Sequence, residues 1–170
     1  MMKTSEWIII VAVLSLGVGL TARFMMSPSQ QLSTVAVTFN FPDESGKMRD
    51  SKEWQGKIQV INFWATWCSP CRTEIPEFIA LQEKYAAKNV QFIGIAVDDK
   101  SAVIEYLKTI KINYPVLIGG DASMFLAKQW GNTIGALPFT IVVDKQGKIV
   151  HQQMGEFSSE ELLKVLEPLL

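Results

Sequence analysis

The chain has 170 residues, with 16 Lys and Arg against 17 Asp and Glu and a single His, for a net charge of −1. That balance excludes a polycation built to coat nucleic acid, and equally an acidic solvating tail. With 48% apolar and 19% charged residues it has the mix of a folded globular protein, and two cysteines are too few for a disulfide-dense scaffold or a four-cysteine zinc site.

Trp7 to Ala22 carries no charge and is entered past Lys3 and left through Arg23. Sixteen helical residues reach roughly 24 Å, short of a hydrocarbon core of about 30 Å, but extension to Met26 with a snorkelling Arg23 closes the gap. Residues 1–26 therefore read as an uncleaved membrane anchor. A cleaved secretory signal competes, although cleavage after Ala22 would place Leu20 where a small residue is wanted. Either reading exports the rest of the chain. Residues 27–33 (SPSQQLS) are polar and form a linker, and a single domain is expected over 34–170.

Within that domain Val35 to Phe39 alternates like an edge strand, with turn residues from Pro42 to Gly46. Lys57 to Trp64 is rich in β-branched and aromatic residues and predicts a buried strand. A helix follows from about Ser69 to Lys88, with Ile75, Phe78, Ile79, Leu81 and Tyr85 inward and a kink expected at Pro76. Val90 to Val97 predicts a strand, Lys100 to Ile110 a helix, Tyr114 to Ile118 a strand, and Ser123 to Trp130 a helix stopped by Gly131. Thr140 to Asp144 and Lys148 to Gln152 flank a turn that predicts a hairpin. Ser158, Ser159 and Glu161 open a last helix with capping chemistry, and Leu162, Leu163, Val165 and Leu166 face its core. The order predicts an α/β domain with a central mixed sheet and helices on both faces.

The chemistry concentrates in Phe63 to Arg72 (FWATWCSPCR), which sets Cys68 and Cys71 where a strand ends and a helix begins. A helix N-terminus offers unpaired amide donors and a partial positive charge, and both stabilise a thiolate. Cys68, at the entry, is expected to be the lower-pKa nucleophile, and Cys71, one turn inside, the resolving thiol. Pro70 has no donor to lose in the first turn. Half a zinc site has the same spacing, but His151 is the one further nitrogen or sulfur ligand apart from methionine thioethers. A structural staple would close too small a loop to remove much unfolded-state entropy.

NFWATWCSPCR followed by Glu74 and Pro76, the VQFIGIAVDD strand, Tyr114-Pro115-Val116 and Gly135-Ala136-Leu137-Pro138-Phe139-Thr140 together resemble the thioredoxin-like superfamily, in its membrane-anchored TlpA/ResA branch. The resemblance covers the chain from about residue 34 onward. It implies a thioredoxin-like fold preceded by an N-terminal transmembrane helix, and thiol:disulfide exchange through a Cys68–Cys71 redox pair. It further implies that Pro138 is a cis-proline opposite the cysteines, and that Leu137 and Trp67 border the partner groove. Thioredoxin itself has a buried aspartate where this chain has Asn62. Glu74, one helical turn after Cys71 at roughly 5–6 Å between β-carbons, is the group expected to modulate the dithiol.

Other residues take ordinary readings. Trp54, Trp64 and Trp130 are expected in the core or at its rim, His151 at the surface, and Asp98-Asp99 as a helix start. No dissociable cofactor is needed, because the cysteine pair holds two electrons. The expected protein is a reductase of disulfides in exported proteins, held in a bacterial inner membrane with its domain on the outer side. The resemblance implies a membrane thiol donor of the DsbD/CcdA type, with cytochrome c maturation as one destination. The alternatives are a disulfide-introducing oxidase, against which the absence of a histidine between the cysteines argues, and a copper-handling metallochaperone with few soft ligands.

Overall fold

The computed structural model describes residues 37–170; the expected anchor and linker, and the first residues of the expected domain, lie outside the described residues. Among the described residues no helix is long and apolar enough to cross a membrane.

Among the described residues, seven strands and four α-helices follow in the order β1 (Asn40–Pro42), β2 (Met48–Asp50), β3 (Ile58–Trp64), α1 (Ser69–Tyr85), β4 (Val90–Ala96), α2 (Lys100–Leu107), β5 (Val116–Ile118), α3 (Gly120–Gln129), β6 (Phe139–Val143), β7 (Ile149–Met154) and α4 (Ser159–Leu166). Five strands make one sheet in the order β5-β4-β3-β6-β7. Both β3–β4 and β4–β5 are parallel and are joined by helical crossovers, whereas β6 runs antiparallel to β3 and turns back into β7. This is a thioredoxin-like α/β fold with a mixed central sheet.

The seven residues of β3 are all buried, because helices or loops cover both faces of this central strand. Its even-numbered side chains Ile58 and Val60 pack with Phe78, Leu81 and Tyr85 of α1 and with Leu162 and Leu166 of α4. Trp64 continues that face toward Val103 of α2 and Ile75 of α1. Ile61 and Phe63 point to the other face, onto Ala127 of α3, Trp130, Phe39 and Trp54. All three tryptophans expected inside are buried. The helix α1 continues through Pro76, which lies on its exposed side, where the carbonyl it leaves unpaired can bond to water.

One expectation shifts and one element is additional. Of the edge strand expected at Val35 to Phe39, residues 35–36 lie outside the described residues and Val37 to Phe39 are not strand-paired, since the ladder starts at Asn40; Phe39 is buried by stacking on Trp54 at 5.8 Å between ring centroids. A short 3₁₀ helix at Ser51–Trp54, capped by Asp50 in a box with Glu53, was not foreseen. The last helix starts as its sequence suggests, with Ser158 accepting from the Glu161 amide and Glu161 reaching back. On the outer side of β5, Asp43 forms a single antiparallel bridge with Leu117.

Candidate active site

After β3 the chain turns through Ala65 to Cys68, closed by a 3.2 Å bond from the Cys68 amide to the Ala65 carbonyl. Cys68 is the N-cap of α1, in an extended conformation with φ −84° and ψ 105°. Its Sγ accepts the Cys71 amide at 3.3 Å, so a sulfur does here what a serine or aspartate oxygen usually does at a helix start. Pro70 lies in the first turn, where no donor is required. Cys68 and Cys71 are joined in a disulfide, S–S 2.03 Å and Cα–Cα 5.3 Å. Cys68 is 5% exposed and Cys71 is 0% exposed, so an incoming group meets Cys68 first.

One turn deeper, Glu74 is 1% exposed. Its Oε1 accepts from the Asn62 amide at 2.7 Å, and its Oε2 from the Phe157 backbone N–H at 3.0 Å. Asn62 stands on the α1 side of β3, directly opposite Thr140 in the β3–β6 register, and its amide also donates to Thr140 Oγ1 at 3.0 Å. Burial pushes the Glu74 carboxyl up to about 7, with nearby Glu156 and Glu77 adding to the effect; the Phe157 and Asn62 donors pull the other way. The carboxyl therefore gives or takes a proton near neutral pH, which an exposed glutamate does not. Asn62 Oδ1 has no hydrogen-bond partner among the described residues, so the amide turned over could accept a proton from a neutral Glu74.

The bond Leu137–Pro138 is cis. Phe139 opposes Phe63 across β3–β6, which brings Pro138 beside the end of β3. Leu137 is half-buried and packs against the cluster containing both cysteines. Upstream, the buried Asn132 side chain spans its loop, donating to the Ala136 carbonyl at 2.8 Å and accepting the Ala136 amide at 3.0 Å. Trp67 is 69% exposed on the rim next to Cys68.

Several partners were missed by sequence reasoning. Asn62 and Phe157 converge on Glu74, and Thr140 on Asn62, only through the sheet register and the β7–α4 connection, which no local pattern announces. Asp99 occupies the N-cap position of α2 but makes no side-chain capping bond. Its neighbour Asp98 instead receives Thr66 N–H at 2.9 Å and Thr66 Oγ1–H at 2.6 Å. His151 is not a free surface residue: it is half-buried and stacks on Phe157 at 5.2 Å. Among the described residues no group of three or more His, Cys, Asp or Glu is placed to hold a metal ion.

A buried dithiol with one reachable sulfur, a helix N-terminus under it and a carboxyl titrating near 7 behind it is equipped for thiol–disulfide exchange. Comparison with known proteins agrees. The model of the Redoxin family matches residues 31–166. The thiol-disulfide oxidoreductase ResA of Bacillus thuringiensis (strain Al Hakam) is 34% identical over 168 residues, 95% of each chain. A thiol:disulfide interchange protein of the thioredoxin family from Chlorobium tepidum TLS superimposes with TM-score 0.70 at 29% identity, over 78% of this chain and 92% of that one. A thiol-disulfide oxidoreductase from Bacteroides fragilis gives TM-score 0.67 at 28% identity, over 79% and 98%.

Proposed function

The chain belongs to the Redoxin family and is a thiol:disulfide oxidoreductase, and on that premise we propose that it works as a reductase of disulfides in exported proteins. The observation that carries this reading is the asymmetry of the pair: Cys68 caps α1 and keeps a small exposed fraction, while Cys71 one turn inside has none. In the reduced protein the Cys68 thiolate attacks one sulfur of a substrate disulfide. A mixed disulfide forms and the first substrate thiolate leaves. Cys71 then gives up its proton, with Glu74 as the nearby buried acceptor, and attacks Cys68. The Cys68–Cys71 disulfide forms, the second substrate thiolate departs, and two electrons have passed to the substrate. Leu137, Pro138 and Trp67 border the groove in which the partner chain lies.

Residues 1–26 tether the domain to a bacterial inner membrane, on the outer side of which disulfides persist. A reductase there requires a steady electron source, for which a membrane thiol donor of the DsbD/CcdA type is suited. Apocytochrome c is one fitting substrate. The deciding experiment is a pair of assays: reduced protein against insulin disulfides, and oxidised protein against a reduced, unfolded substrate. Rapid reduction with slow oxidation is expected. The opposite order would make the protein an oxidase.

A further inference from the structure

We propose that Asp98 is a positioning residue for the attacking cysteine, acting through Thr66. The inference deepens the thiol-exchange reading, in which Cys68 is the sulfur that meets the substrate. The turn that carries Cys68 is held on one side by the backbone of β3 and β4, where the Val97 amide donates to the Trp64 carbonyl at 2.8 Å. Its apex is held by Asp98. Both donors of Thr66, the backbone N–H at 2.9 Å and the hydroxyl at 2.6 Å, go to the same oxygen, Asp98 Oδ2, while Oδ1 takes the Asp99 amide at 2.8 Å. Three donors on one carboxylate use acceptor capacity that a neutral amide lacks, and such charge-assisted bonds are about twice as strong as neutral ones.

The arrangement locks Thr66, two residues before Cys68, to the segment just after β4, 32 positions away in sequence. Cys68 Sγ is thereby kept over the Cys71 amide, the contact that favours its thiolate. With the latch loosened the turn gains freedom, the sulfur leaves that amide for part of the time, and the thiolate is less populated.

Thr66 variants test this without altering any charge. Arg72 and Glu74 on α1, and Asp98, Asp99 and Lys100 around the start of α2, all stay in place. In reduced full-length protein at pH 7, iodoacetamide alkylation of Cys68 is followed by mass spectrometry, with circular dichroism as the check of fold. Thr66→Val keeps the shape but loses the hydroxyl, and should slow Cys68 alkylation about three- to tenfold. Thr66→Ser should restore the wild-type rate, and Thr66→Val should add nothing in an Asp98→Ala background. An unchanged rate in Thr66→Val would overturn the proposal. So would equal slowing by Thr66→Ser, or a Thr66→Val effect of the same size without Asp98. Should Asp98→Ala fail to fold, the Val and Ser variants decide the matter alone. Alkylation needs no protein substrate, so a wrong assignment of reductase or oxidase would leave this result intact.

Discussion

The Asn62 amide donates a 2.7 Å hydrogen bond to the Glu74 carboxyl, across the interface between the central strand and the helix that carries both cysteines. The buried acid is thus mounted on the helix, and the strand supplies a neutral donor that holds it. Asn62 is itself 2% exposed, so neither partner can turn to bulk water.

Asn62→Leu removes a donor that favours the ionised carboxyl, and leaves Thr140 and Glu74 without a shared partner. The Glu74 titration should move above its present value of about 7, and stability should fall by about 1–3 kcal/mol. The carboxyl stretch followed by infrared spectroscopy against pH gives the first, urea unfolding the second. A titration that stays in place or moves down would show that Asn62 does not support the charged form.

Glu74 makes stability depend on pH with a definite sign. Its folded value of about 7 lies above the unfolded value of 4.5, so between them the folded protein holds a proton that the unfolded chain has released. The stabilisation linked to that proton is complete below 4.5 and lost as pH rises through 7, a change on the order of 3 kcal/mol. Oxidised Glu74→Gln lacks this dependence. Unfolding free energies at pH 5, 6, 7 and 8 should therefore fall more steeply for wild type than for the variant. Parallel curves would mean that the carboxyl is not desolvated in solution.

The different depths of the two sulfurs predict which cysteine is caught with a substrate. Cys71→Ala should accumulate mixed disulfides through Cys68, and Cys68→Ala should trap none. Non-reducing gels after an acid quench read this directly. Trapped partner on Cys71 in a folded Cys68→Ala protein would reverse the assignment of roles.

Trp67 tests the rim. A residue 69% exposed contributes little to the fold, so Trp67→Ser should change stability by less than about 0.5 kcal/mol. It should raise KM for a protein disulfide several-fold while leaving the rate with a small disulfide near wild type. Equal loss on both substrates would place its effect on Cys68 instead of on the partner.

Much of this is legible in the sequence. The strand–helix junction at Cys68, the placement of Glu74 one turn after Cys71 and the capping of the last helix by Ser158 and Glu161 follow from local spacing, and local spacing is what a sequence displays. The Asn62–Glu74 contact lies 12 positions apart, and Asn62–Thr140 lies 78 apart; both depend on register. The Glu74 to Phe157 bond depends on where the β7–α4 connection comes to rest. Asp98 looked like a capping residue because caps and latches draw on the same side chain, and only the neighbouring turn distinguishes them. At Val37 to Phe39 the alternation was real, but it recorded burial against Trp54 and not a strand.

The single bridge between Asp43 and Leu117 has a consequence for how copies of this domain could meet. β5 is three residues long and already has an occupant on its outer side, so it offers little to a foreign chain. Among the described residues that leaves β7 as the open margin of the five-stranded sheet, and its residues beyond Ile149 alternate between exposed and half-buried, with a register shift opposite Val142 and Val143. Such an irregular, glutamine-bearing border is a poor template for adding strands. Edge-to-edge pairing between copies of this domain is thereby disfavoured, and its encounters with other chains are left to the end where the sulfur is.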